Sequence, residues 1–252
     1  AGQPPSEMQE IRGLRWLAVD GVSLEVELRL RQADNGWLEL EMLERRETEL
    51  FPAYTARALV GAPSTAVAEP LSLFIEKESD FKVTGATFYS FIFHGPGFQG
   101  IRKLTGIGKE AALSNFFLPV GTRMLPRGVD PEFLSNPVMQ DCSGQLVGVW
   151  LLEVHNLVDF GLYPYRLGRL QLLDTPAKPG DQVLCRPLIQ RDGRRTKASF
   201  ELYEGGRLFA RIEDFESRLF HFPKDIFRTI FALDYSVFVS RERVLEDDAR
   251  AS

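Results

Sequence analysis

Residues 131–154 read PEFLSNPVMQDCSGQLVGVWLLEV, and the reading of this stretch decides the fold. Asn136 followed by Pro137 supplies an N-cap and a first helical residue, where a missing N–H costs nothing. Val138, Met139, Cys142, Leu146, Val149 and Trp150 then spread over much of the helical circumference instead of one stripe, which predicts a helix over about residues 131–153 that is buried on most sides. A polar side chain on such a helix loses hydration and needs a compensating partner or a task. The polar residues on its inner turns therefore need a reason; Asp141 and Gln145 among them are four residues apart and share a face.

Outward from the helix the texture is that of strands. GVSLEVELRLRQADNGWLELEML, residues 21–43, alternates Leu24, Val26, Leu28 and Leu30, turns at Asp34, Asn35 and Gly36, and resumes. A period of two predicts a half-buried antiparallel sheet. Residues 84–108 are rich in Phe, Tyr and Gly, and the FYSFIF run abutting Gly95, Pro96 and Gly97 predicts a strand entering a tight turn. After the helix come RLGRLQLL, DQVLCRPLI, a turn at Asp192 and Gly193, ASFELYE, a turn at Gly205 and Gly206, and RLFARIEDFESRLF. The order of short strand, long strand, polar turn, strand and strand occurs twice, about 155 residues apart when Gly13 is laid on Gly168. Self-similarity of this kind argues for two copies of one supersecondary unit. The fold class is α+β. The second copy has a long front end that includes the helix, and the first has almost none.

Composition narrows the function. The chain has 252 residues, of which 44% are hydrophobic and 26% charged, the profile of a soluble globular protein with one or two cores. A net charge of -5 offers no cationic surface, so no nucleic-acid partner is expected. No apolar run spans a bilayer and the first residues do not form a signal peptide, so no membrane association is expected and a cytoplasmic location is. Cys142 and Cys185 lack CxxC spacing, and His155 and His221 have no carboxylate or cysteine neighbours at ligand spacing, so no metal is expected. GIGKE at residues 106–110 lacks the spaced glycine and the Ser or Thr of a phosphate loop, which leaves no nucleotide cofactor.

Two motifs carry a family resemblance. HGPGFQGI, residues 94–101, is similar to the YGPxFQGL segment of dehydratase domains in modular polyketide synthases and related polyunsaturated fatty acid synthases, with His94 at the tyrosine position. NPVMQDCSGQ, residues 136–145, resembles their HPALLDAALQ helix, with Asn136 in place of histidine and with Asp141 and Gln145 retained. The resemblance implies a double hot dog fold: two curled antiparallel sheets, with a central helix evident only in the second copy. Residues 1–80 then form the remainder of an N-terminal subdomain and 81–252 a C-terminal one. It also implies elimination of water from a 3-hydroxyacyl thioester on the phosphopantetheine arm of an acyl carrier protein, with no cofactor of the domain's own. Neighbouring megasynthase domains and a second copy of the chain are the other expected partners.

In that family a first-copy histidine removes the α-proton and the helix aspartate of the second copy assists departure of the hydroxyl. Hydroxide leaves poorly unless protonated, so an acid is needed there. An aspartate among apolar neighbours can keep its proton, because desolvation disfavours the carboxylate. The resemblance thus makes Asp141 the acid and Gln145 its companion, whose amide orients the carboxyl or binds the departing water. Tyr89, His94, Gly95, Pro96, Gly97, Phe98 and Gln99 are the expected substrate-binding residues, the glycines letting substrate pass close to the backbone. No histidine precedes His94, so the family's base has no matching position. His94 itself reads more as a satisfied polar residue than as a substitute base. The chain is read as a fragment of a longer protein, the alternative being a degenerate, catalytically silent module that binds acyl chains or scaffolds a megasynthase. A hot dog thioesterase is a third reading. The charged segment RERVLEDDAR near the C-terminus reads as a solvated tail.

Overall fold

The computed structural model describes residues 5–17, 23–61, 69–83, 88–89, 92, 94–118, 135–157, 160–174 and 177–221. Among them ten strands form one antiparallel sheet. They are β1 (Pro5–Gly13), β2 (Val26–Gln32), β3 (Trp37–Arg46), β4 (Glu49–Val60), β5 (Ile101–Gly108), β6 (Ala111–Phe117), β7 (Phe160–Leu172), β8 (Gln182–Asp192), β9 (Arg195–Glu204) and β10 (Arg207–His221). Among the described residues one long helix, α1 (Pro137–His155), lies between β6 and β7 in the chain. The spatial order is β2-β3-β4-β1-β7-β10-β9-β8-β6-β5.

This order contains the sequence repeat. Read outward from the centre, β1, β4, β3, β2 on one side match β7, β10, β9, β8 on the other, and β1 and β7 pair antiparallel with Met8 opposite Leu170 and Ile11 opposite Leu167. The two halves are related by a pseudo-two-fold axis at that seam. The turns obey local chemistry: Asn35 and Gly36 (φ 58° and 81°) and Gly205 and Gly206 (φ 55° and 86°) supply the left-handed backbone that tight connections need. Ion pairs rivet the seam. Arg169 holds the Glu7 carboxylate with two bonds of 2.8 Å, and Arg166 bridges Glu10 and Glu216.

The core belongs to the second half. Helix α1 presses Met139, Cys142, Leu146, Val147, Trp150 and Leu151 against Phe116, Cys185, Ile189, Phe200, Leu202, Phe209 and Ile212, all of them buried. Burial of this kind is the main stabilising term. The segment 69–77 is strapped to the same half: buried Glu201 accepts the Leu71 N–H at 2.9 Å while paired with Arg211 and Arg186, and Lys77 bridges Ile107. The first half lacks such a filling among the described residues. Leu28 and Leu30 on β2 stay 67% and 66% accessible, so the alternation that predicted a half-buried face yields one that no described residue covers.

Two local expectations change. Phe88 and Tyr89, read as part of a strand, take helical backbone. Their aromatic character expresses burial rather than strand preference: Phe88 is buried, its ring within 4 Å of where a Cβ on Gly148 would stand. His155, beyond the expected end of the helix at about residue 153, is the last residue of α1 and packs edge-on against Trp150, ring centroids 4.6 Å apart. Residues 131–134 and the charged C-terminal stretch fall outside the described residues.

Candidate active site

Helix α1 begins as its sequence dictates. The Asn136 side chain accepts the Val138 N–H at 3.0 Å, Pro137 follows as first helical residue, and Asn156 in the left-handed region (φ 51°) ends the helix. This fixes the direction in which Asp141 and Gln145 project. The 94–101 segment crosses that face. Phe98 N–H closes onto the Gly95 carbonyl at 2.9 Å, making a single tight turn over Pro96–Phe98, and Gln99 Nε2 donates to the His94 carbonyl at 2.8 Å. Gly100 lets the segment descend onto the helix: a Cβ there would stand 2.7 Å from Cys142 Sγ and 3.3 Å from the Phe117 carbonyl oxygen.

Four polar groups meet where the two elements touch. Gln145 Nε2 donates to the Phe98 carbonyl at 2.9 Å and also to Asp141 Oδ2. The Tyr89 hydroxyl donates to Gln145 Oε1 at 2.9 Å and accepts the Ile101 N–H at 2.7 Å. These partners assign the orientation of the Gln145 amide, since its oxygen faces a donor and its nitrogen faces two acceptors. Both Nε2 hydrogens are in use, so Gln145 orients the carboxyl; binding a departing water would require it to release a bond. His94 Nε2 completes the cluster, 3.3 Å from Asp141 Oδ2.

Asp141, expected among apolar helix neighbours, lies beside polar partners. The Asp141 side chain keeps 35% of its surface accessible and has His94 and Gln145 as partners; His94 keeps 19%. The reason is angular. Met139, Cys142 and Leu146 point into the sheet, and Asp141 points to the flank that the 94–101 turn crosses. His94 Nε2 thus has the candidate acid as its partner. Cys142 is a packing residue: burial, with the nearby Asp141 charge, pushes its thiol up to about 12. Burial, with Cys142 beside it, likewise carries the Tyr89 hydroxyl well above its ordinary range. Neither is a nucleophile at neutral pH.

The remaining candidates divide. Gln99 and the Phe98 carbonyl shape the cluster, Gly95 is exposed with open space beside it, and Pro96 and Gly97 belong to the turn. The close approach of the segment to α1 is made by Gly100, which sequence reasoning did not single out although it stands inside the quoted motif. Two described cavities lie elsewhere: one of about 640 Å³ on the first half, beside Arg12, Arg29 and Arg57, and one of about 290 Å³ near Phe74 and Lys109. Among the described residues no group of three or more His, Cys, Asp or Glu is placed to hold a metal.

Comparison with known proteins places this geometry. The family model described as polyketide synthase dehydratase N-terminal domain matches residues 77–224, which include both motifs and all of α1. The chain belongs to the polyketide synthase dehydratase family. Solved structures agree on the fold. A trans-AT polyketide synthase dehydratase domain from Brevibacillus brevis is similar with a TM-score of 0.68 at 19% identity, over 85% of this chain and 76% of that one. The dehydratase domain from the CurJ module of curacin polyketide synthase gives 0.66 at 15%, over 85% and 75%. The dehydratase domain of PpsC from Mycobacterium tuberculosis, in complex with C12:1-CoA, gives 0.65 at 19%, over 86% and 76%. The dehydratase double hot dog is therefore the architecture of this chain, which spans about three quarters of each of these relatives. No curated protein matches it in sequence.

Proposed function

We propose that this polyketide synthase dehydratase domain eliminates water from a 3-hydroxyacyl thioester carried by an acyl carrier protein, in polyketide or fatty acid biosynthesis. The observation that carries the reading is the carboxyl of Asp141, oriented by Gln145 and still accessible at the junction of α1 and the 94–101 turn. Breaking the β carbon–oxygen bond needs a proton delivered to the leaving hydroxyl, and a positioned carboxylic acid beside a proton-exchanging side chain supplies one. The acyl-CoA held by the mycobacterial relative supports a thioester as the substrate class. On this reading the domain works in the cytoplasm beside neighbouring megasynthase domains, alone or as a homodimer. It needs no cofactor beyond the carrier's phosphopantetheine.

The test uses the full-length protein and a 3-hydroxyacyl pantetheine thioester, with the 2-enoyl product followed by absorbance and mass. Asp141→Asn, which keeps size and hydrogen bonding but cannot give up a proton, lowers turnover by about 10²–10⁴-fold. Turnover insensitive to Asp141→Asn refutes the reading. So does release of free thiol without an enoyl product, which identifies a thioesterase.

A further inference from the structure

His94 and Gln145 converge on one oxygen of the candidate acid. Gln145 Nε2 donates to Asp141 Oδ2, and His94 Nε2 stands 3.3 Å from the same atom. We propose that His94 is a pH-responsive positioning residue: as a neutral imidazole it helps Gln145 aim the acid, and once protonated it holds Asp141 as the carboxylate and silences it. The inference rests on the dehydratase reading and leaves the base of the reaction unassigned. It adds a control on the acid that a tyrosine at position 94 would lack.

A protonated carboxyl carries its hydrogen on one oxygen and accepts with the other. Oδ2 is the acceptor here, because the Gln145 amide is bound in one orientation: its oxygen takes the Tyr89 hydroxyl, and its nitrogen serves the Phe98 carbonyl and Oδ2. A neutral imidazole with its hydrogen on Nε2 adds a second donor to that oxygen, which leaves Oδ1 to carry the proton that the leaving hydroxyl receives. Two donors on one oxygen fix the carboxyl against rotation, and the orientation of a reacting group is worth rate. The backbone holds the ring in place whatever its charge. Gln99 Nε2 donates to the His94 carbonyl, and the Phe98 N–H bond to the Gly95 carbonyl closes the turn.

Protonation reverses the effect. Imidazole is the side chain that changes charge near neutrality, and a cation in contact with a carboxyl favours its ionised form. As pH falls, the pair gains its first proton on the ring, where the leaving hydroxyl cannot use it. A carboxyl beside a phenol takes that proton itself. Among the described residues the titratable groups at this junction are Asp141 and Cys142 from α1 and Tyr89 from the segment ahead of the turn, and residues 95–101 carry none. Burial keeps Tyr89 and Cys142 protonated. Of these groups, His94 is the one whose charge changes beside the acid.

The experiment measures kcat and KM for a 3-hydroxyacyl pantetheine thioester from about pH 5 to about pH 8.5, a span that covers imidazole titration. It uses the unmutated full-length protein and its His94→Tyr and His94→Phe variants, with thermal melts to show that each is folded. At the alkaline end His94→Phe, which has no donor, is expected to lower kcat by about 10-fold with little change in KM. His94→Tyr keeps a donor and should stay within about threefold of the unmutated protein. Below about pH 6.5 the ratio of variant to unmutated kcat is expected to rise by about tenfold per pH unit for both variants, because in them the carboxyl alone collects the proton. The base is common to all three proteins and drops out of the ratio. A merely structural ring would change the rate by one factor at every pH. A ratio that stays flat across the range therefore overturns the control, and a His94→Phe kcat equal to the unmutated one at the alkaline end overturns the positioning. Both results leave the dehydratase reading standing as long as Asp141→Asn still abolishes turnover. An unmutated protein that forms no enoyl product fails that reading and takes this inference with it.

Discussion

Replacing Gln145 by methionine tests whether the cluster is organised by this one amide. Methionine nearly conserves volume, so the cavity contribution is small and the loss is polar. Three hydrogen bonds disappear, to Phe98, to Asp141 and from Tyr89. Water can replace the bond to accessible Asp141, which leaves two losses in the buried part of the cluster. At about 1 kcal/mol each, plus part of the desolvation cost of an unsatisfied carbonyl, the expected destabilisation is about 2–3 kcal/mol. Tyr89→Phe removes one of the same bonds, so the double variant should fall short of the sum of the singles by about 1 kcal/mol. In turnover, a carboxyl released from its guide should reduce kcat by about 10²-fold with little change in KM, the cost of a misplacement near 1 Å. Urea unfolding of the four proteins and steady-state kinetics with a 3-hydroxyacyl thioester measure both quantities. A loss under about 0.5 kcal/mol that adds simply to that of Tyr89→Phe, with kcat intact, would refute the reasoning, because it leaves Gln145 without an organising role.

Two further outcomes follow from the packing and the seam. Gly100→Ala sets a methyl against Cys142 Sγ and the Phe117 carbonyl, and should cost about 1–3 kcal/mol in urea unfolding; a neutral result contradicts the close approach of the turn to α1. At the seam, hydrogen bonding to Arg166, then to Arg12, holds the Glu10 carboxyl at about 2, below its usual 4.5. Hydrogen bonding from Tyr165, with Arg166, holds Glu216 low as well. A depressed carboxyl stabilises the fold fully above about 4.5, and the contribution is lost as pH falls toward 2. Glu10 is 39% accessible, so screening reduces its share to about 1 kcal/mol. Arg166→Met should therefore be less stable than the unmutated chain at pH 7 and nearly equal to it at pH 2.5, as followed by urea midpoints; a pH-independent difference removes the ion pairs from the account.

Much of the fold was legible because its rules are local or periodic. Asn136 and Pro137 announce the start of α1, glycine and asparagine mark the turns, and alternation marks β2, β3 and β8–β10. The repeat announces two copies of one unit, and in the fold β1–β4 and β7–β10 answer one another across a seam. Illegible were features set by partners distant in sequence. β1 reads as an unremarkable polar start, and its strand character comes from β4 and β7 on either side. Phe88 and Tyr89 have strand propensity, yet their rings are committed to α1, which decides their backbone.

The site shows the same division more sharply, and it explains why a single substitution matters there. The Asp141–Gln145 spacing is written in the helix period, so their shared face needed no structure. The place of His94 depends on a turn 47 residues earlier in the chain descending onto α1. That descent depends on Gly100, whose role is not evident until the sulfur of Cys142 is seen beneath it. A tyrosine is expected at position 94 by resemblance. Histidine there converts a position beside the acid into one that can accept a proton, without altering the turn bonds made by Gln99 and Phe98. One residue type on a pre-existing scaffold thus sets an imidazole 3.3 Å from the candidate acid, where the turn meets α1.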